Sequence, residues 1–248
     1  MEEMSILFFI LGLVFGSFGS VLITRVPCGE SICGRSGCSG CKKTLTPLEL
    51  IPLFSYFILR GKCKECKISI GWIYPTVEIL SGLLFLFAWI LHGAAVSSIL
   101  LALCLWLLLI IAIIDLYTHS ISDVLNIPLL LLAIAYSVNL GHFALSGIAL
   151  GAGFFGLQWL LSRGKWLGSG DIILGAGTGA LLGDWQHMAV CLFLTYIIGG
   201  VLASVLLVSG RIKRGQYVAF GPFLALGTVV SIFFQARIDT FIAFYLGI

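Results

Sequence analysis

The chain has 248 residues, 60% of them apolar and only 10% charged, with a net charge of +3 and a mean hydropathy of +1.13. A soluble domain runs nearer half apolar and a quarter charged, and no water-soluble fold of this length hides so much apolar surface. Disorder is excluded by the same composition, and the basic residues are too few for a nucleic-acid-binding domain.

A bilayer crossing needs about 20 apolar residues. Eight such runs are predicted in chain order, at 5–24, 72–92, 96–115, 123–140, 143–162, 166–183, 188–208 and 218–237. The fold class is therefore an all-α polytopic membrane protein of about eight transmembrane helices. It divides into a first span (1–24), a cysteine-rich loop domain (25–71) and a multi-helix core (72–248). The first run reads as a retained signal anchor. Glu2 and Glu3 stand where a basic region would precede it, and no small-residue cleavage site is evident.

Basic residues orient the spans. Arg25, Arg35, Lys42, Lys43, Arg60, Lys62, Lys64 and Lys67 lie in the first loop, Arg163 and Lys165 between spans five and six, and Arg211, Lys213 and Arg214 between seven and eight. Eight spans put these three connections on one side, and only Arg237 falls elsewhere. Basic loops stay in the cytoplasm, so both termini are expected on the opposite face.

Six of the eight cysteines, Cys28, Cys33, Cys38, Cys41, Cys63 and Cys66, fall in the first loop. Cys38-Ser-Gly-Cys41 and Cys63-Lys-Glu-Cys66 are two C-x2-C knuckles 21 residues apart, a spacing that suits a tetrahedral Zn²⁺ site with four thiolates. The flanking Lys42, Lys43, Lys62, Lys64 and Lys67 would offset its charge. A set of reduced thiols or a redox pair is the alternative. Cys28 and Cys33 read as bystanders, and Cys104 and Cys191, within spans, as small apolar packing residues.

Ionisable groups inside spans are costly and tend to face a cavity or a partner. Four stand out: Glu78, Asp115, Asp123 and Asp171. Asp115 ends the third span, and Asp171 lies near the same face in Gly168-Ser169-Gly170-Asp171. A lone acid at a span end snorkels or caps a helix. Two at matching depth can share one proton, the ionised one acting as general base towards water and the other polarising a carbonyl. Gly175, Gly179 and Gly183 continue a ridge suited to close helix packing. Asp123, at the start of span four, reads as an N-cap. Asp115, His119 and Asp123 share a four-residue spacing, so a metal or relay site there is a further reading. His92, His142 and His187 read as interfacial residues in outer loops.

In order along the chain, Gly16-Ser17-Phe18, Arg25-Val26-Pro27, the two knuckles, Ile51-Pro52-Leu53-Phe54-Ser55-Tyr56, Arg60-Gly61-Lys62-Cys63, Tyr74-Pro75-Thr76-Val77-Glu78, Asp115 with Asp123, the Gly-x-Gly-Asp turn and Phe220-Gly221-Pro222 resemble the type IV prepilin peptidases. The resemblance implies an intramembrane aspartyl protease of the bacterial cytoplasmic membrane, with Asp115 and Asp171 as catalytic pair. It implies prepilin or pseudopilin substrates with a short basic leader, cut on the cytoplasmic side. It also implies N-methylation of the new N-terminus from S-adenosylmethionine. Glu78 either serves that methyl transfer or locks the second span to a neighbour. Ser20, Leu50, Ser122 and Ile173 stand where the family often has Asn, Asn, Pro and Lys, and the usual Pro after Cys38 is absent. These departures bear more on methyl transfer than on cleavage. A proton-coupled transporter using Asp115, Asp123 and Asp171, or a degenerate assembly scaffold, are the competing readings.

Overall fold

In the computed structural model, which describes residues 2–211, 213 and 218–246, the chain is built from helices. These are α1 (Glu2–Arg25), α2 (Phe54–Ile58), α3 (Ile73–His92), α4 (Val96–Thr118), α5 (Asp123–Asn139), α6 (Leu145–Ser162), α7 (Ser169–Leu182), α8 (Trp185–Val208), α9 (Gly221–Phe233) and α10 (Gln235–Leu246), with a 3-10 turn at Pro47–Leu50. Among the described residues no strand forms, only the isolated bridges Gly37 to Thr44 and Lys62 to Ser69. Arg214, one of the basic residues that orient the spans, lies outside the described residues.

Each predicted span has a helical counterpart, but not every counterpart is a full crossing. Five helices (α1, α3, α4, α6 and α8) are long and apolar enough to cross a membrane, and α9 with α10 make a sixth if that bent pair is one span. The pair bends by 74° at its break, where Gln235 and Arg237 bring polar side chains into the end of the run read as the last span. The fourth and sixth predicted spans are the shorter apolar helices α5 and α7, of 17 and 14 residues.

The chain forms two compact units, Met1–Trp106 and Leu107–Ile248. In the first, α1 packs along α3 on a seam of glycines. A Cβ at Gly12 would lie 2.6 Å from the Ser81 carbonyl oxygen, and one at Gly16 would lie 2.6 Å from Glu78 Cα. Phe8 stands 4.8 Å from Trp89, and Phe15 packs against both Phe85 and Trp106 at 5.1 and 5.2 Å. The obstacle at Gly16 is backbone and cannot swing aside. Gly16→Ala should therefore cost about 1–3 kcal/mol, read as a lower thermal midpoint in detergent; an unchanged midpoint would mean that the seam opens freely.

In the second unit α7 packs on both α5 and α6. Gly147 and Gly151 of α6 face Gly179 and Gly175 of α7 so closely that a Cβ on any of the four would collide with the opposite backbone or, at Gly175, with the Phe155 ring. Two of the three glycines expected to form a ridge thus do so. The third, Gly183, meets nothing within 4 Å and instead ends α7 with a φ of 90°. Two further expectations change. Ser122, not Asp123, caps α5, and Asp123 is the first residue inside the helix, exposed. His187 is buried rather than interfacial, with Nδ1 2.8 Å from Asp184 Oδ2 and Nε2 3.1 Å from Asp239 Oδ1 on α10.

Candidate active site

The second unit holds the acid pair. Asp115 lies three residues before the end of α4, and Asp171 is the third residue of α7. Both are buried, and each is held by backbone donors. Gly221 N–H donates to Asp115 Oδ2 at 2.8 Å, and Gly168 N–H donates to Asp171 Oδ2 at 3.0 Å. The two carboxyl groups are close enough to interact electrostatically. A Cβ at 221 would stand 2.9 Å from Asp115 Oδ2 and would have to displace that carboxylate oxygen from its donor. Phe220-Gly221-Pro222 is thereby a cradle for a carboxylate.

The Gly-x-Gly-Asp turn is seated against the α4–α5 connection. A Cβ on Gly170 would lie 3.0 Å from both Cβ and the carbonyl oxygen of Ile121, and Asn126 Nδ2 donates to the Gly170 carbonyl at 2.7 Å. An aromatic wall stands beside the pair: Phe220 packs on Phe155 and on Tyr196, each at 5.4 Å, and the Tyr196 hydroxyl donates to Gln158 Oε1 at 3.0 Å. Asn126, Tyr196 and Gln158 were not singled out from the sequence. All three are uncharged polar residues inside apolar runs, and that signal was available. His119 and Asp123 do not join the pair on one helix face, because α4 ends at Thr118 and His119 has a φ of 50°.

The first unit holds the cysteines. Cys38, Cys41, Cys63 and Cys66 bring their sulfurs within 4.8 Å of one another, in a group that could hold a metal ion. The two knuckles fold alike. Cys38 N–H donates to Lys43 and Cys63 N–H to Ile68, each at 2.9 Å, and Lys42 and Lys67 both take a φ of 59° in the turn. Amides of Cys41 and Gly40 aimed at the Cys38 sulfur hold its thiol down to about 6. At Cys41 the Lys43 amide favours the thiolate, but lost solvation and the neighbouring sulfurs prevail and push it up to about 11. Four thiolates this close need a cation to ionise together. Lys43 is committed elsewhere, 2.9 Å from Glu65 Oε1 and 3.7 Å from Glu49 Oε1. Cys28 and Cys33 are exposed and free, outside the cluster, and Cys104 and Cys191 are buried in helices.

Beside the cluster is a cavity of about 260 Å³. Ser20 and Leu50, marked in the sequence as departures from the family's usual Asn, and Glu78, marked as an acid within a span, all line it, with Glu49, Tyr56 and Tyr74. Glu78 is buried, accepts from Leu53 N–H at 2.8 Å and hydrogen-bonds to the Ser17 side chain. That bond fixes Leu53 in a turn of positive φ (59°) just before α2, so Glu78 ties the loop to α3.

A helical membrane protein with a buried acid pair at a Gly-x-Gly-Asp turn, and a separate four-cysteine knuckle domain, is the class this architecture defines. The chain belongs to the type IV leader peptidase family: residues 101–204 match that family, and residues 10–92 match the Bacterial Peptidase A24 N-terminal domain. It is 32% identical to a Bacillus subtilis protein named prepilin leader peptidase/N-methyltransferase, over 96% of each chain. Proteins of the same name from Burkholderia pseudomallei and Pseudomonas aeruginosa are 34% and 30% identical, over 91% and 92% of this chain and 84% and 90% of theirs. No solved structure matches the chain.

Proposed function

We propose that this protein removes the leader of prepilins or pseudopilins with Asp115 and Asp171 and methylates the N-terminus so exposed. The observation that carries the first activity is the pair itself: two buried carboxyls in electrostatic reach, each fixed by backbone N–H donors. With one proton between them, the ionised member takes a proton from water as the oxygen attacks the scissile carbonyl. The protonated member donates to the carbonyl oxygen. Collapse of the tetrahedral intermediate breaks the C–N bond as the proton gained from water passes to the leaving amine and a hydroxyl proton returns to the other carboxylate, restoring the singly protonated pair. A transporter would place coupling acids near the bilayer midplane, whereas these lie at helix ends.

The cavity around Glu78 is where the methyl donor is proposed to sit. Its lining fits a sulfonium cation that also carries polar groups: two carboxylates, Glu49 and Glu78, and two aromatic residues, Tyr56 and Tyr74. S-adenosylmethionine bound there supplies an electrophilic methyl group. Glu78 orients the incoming N-terminal amine and accepts its proton. Glu78→Gln should reduce methyl transfer by roughly 100-fold or more and leave leader removal intact, read as a mature pilin lighter by one methyl group. Loss of cleavage instead would detach Glu78 from the methyl site.

For the cysteine cluster the proposed ion is Zn²⁺. Tetrahedral Zn–S bonds of about 2.3 Å imply sulfurs about 3.8 Å apart, and Cys38 Sγ and Cys66 Sγ lie 3.6 Å apart. Four thiolates leave no open position, so the metal holds the loop rather than reacting. The methyl-transfer module is assigned to the loop 25–71 and the adjoining ends of α1 and α3, and the protease core to the helices after it. The protein is a multi-pass membrane protein, and the weight of lysine and arginine in the first loop supports a cytoplasmic setting for that loop, with leader removal proposed on the same side of the membrane. Incubating the purified protein in nanodiscs with a prepilin, with and without S-adenosylmethionine, tests both activities by intact mass. Loss of the leader plus one methyl group is expected. An unchanged mass across several leaders would overturn the reading.

A further inference from the structure

We propose that Asn126 is a positioning residue for leader cleavage, holding the Gly168–Asp171 turn at the setting in which Asp171 works; this rests on Asp171 being a catalytic acid. Asn126 is completely buried on α5. Its Nδ2 donates to the Gly170 carbonyl at 2.7 Å, while its Oδ1, also buried, has no partner. That is a costly way to fill space that leucine would fill, because a buried carbonyl without a donor destabilises the fold. The bond is not needed to satisfy Gly170 either. Gly170 lies within α7, where the ordinary helix pattern already supplies a partner for its carbonyl.

A local rule broken beside a functional turn points to function, and the turn explains what is gained. Two of the three residues before Asp171 are glycines, which leave the backbone little preference of its own. The setting of Asp171 must come from outside ties. Three are present: Gly168 N–H on its carboxylate, Ile121 against the bare face of Gly170, and the Asn126 amide on the Gly170 carbonyl. Asn126 touches no reacting atom and acts through the turn.

The test uses the full chain in nanodiscs with a prepilin and, separately, a pre-cut pilin. Asn126→Leu should lower kcat for cleavage about 100-fold, the scale of a misplaced catalytic group. Its melting temperature should be unchanged or higher, and methyl transfer to the pre-cut pilin retained. Unchanged cleavage, or melting, methylation and cleavage all falling together, would overturn the proposal. Asn126→Asp supplies a readout that packing alone would not move. Its carboxyl can donate to Gly170 only when protonated, so activity should survive at the acid end and disappear at a lower pH than in the unsubstituted protein. The other titratable groups around the turn and the acid pair, Asp115, Asp171, His119, Asp123 and Tyr196, are common to both proteins, so the displacement of the alkaline limb is attributable to position 126. An undisplaced limb would count against the proposal. Asp171→Asn separates the two levels: if it cleaves normally, the catalytic reading fails and takes this inference with it. If it is dead while Asn126→Leu is fully active, only the inference fails.

Discussion

Asp115→Asn and Asp171→Asn should each insert and fold normally yet cleave prepilin roughly 100- to 10,000-fold more slowly. Asparagine keeps an oxygen in place to accept from Gly221 or Gly168, so the backbone cradles at both acids survive the change. What disappears is the ability to move a proton. Groups that work as a unit are not additive, so the double variant should be little worse than either single one. Asp123→Asn is the control: this acid is exposed on the first turn of α5 and should retain most of its activity. Intact-mass time courses read all four, and normal processing by either single variant would sink the pair.

With Zn²⁺ in the cysteine cluster as proposed, its removal should separate the two activities. A strong chelator, or Cys63→Ser at a buried member of the cluster, should unfold the knuckles. Methyl transfer should then fall by 100-fold or more, because ligand and second-shell changes alone cost 10- to 100-fold and here a whole ligand is lost. The knuckle residues Cys38 and Cys63 line the same cavity as Glu78, so loss of the loop removes part of that wall. Cleavage should change little, since Asp115, Asp171 and their donors all belong to the other unit. Chelation that stopped cleavage at once, with the loop still folded, would contradict a structural role for the ion. Metal content by mass spectrometry alongside both assays decides it.

The order of the apolar helices was legible because each apolar run can be read from composition alone, but how many of them cross was not: α5 and α7 are short, and the last run breaks into α9 and α10. The knuckles were legible because C-x2-C fixes a local turn whatever surrounds it. What escaped was tertiary. Asp171 could be read as an interesting acid, but not as one tied to Gly168 N–H in the first turn of α7. Asn126 was passed over because it is uncharged, although its partner lies 44 residues away and makes it part of the same turn. His187 looked like a loop residue until α10 folded back to set Asp239 beside it. The bend at Phe234 has neither proline nor glycine to announce it. The convergence of Ser20, Leu50 and Glu78 on one cavity required three separate stretches to be brought together.

The shortness of α7 has a bearing on how hydrolysis is supplied with its reagent. Fourteen residues rise about 21 Å, roughly 9 Å less than the hydrocarbon core of a bilayer, and its neighbour α5, at 17 residues, is short by about 4 Å. Mismatch of that kind is met by a thinner lipid layer or by hydrated loop reaching down to the helix end. Asp171 sits in the first turn of the shorter helix, behind a connection whose backbone has to stay wetted. A scissile bond docked there would find water at the rim of a local thin spot, with no need for a channel through the bundle.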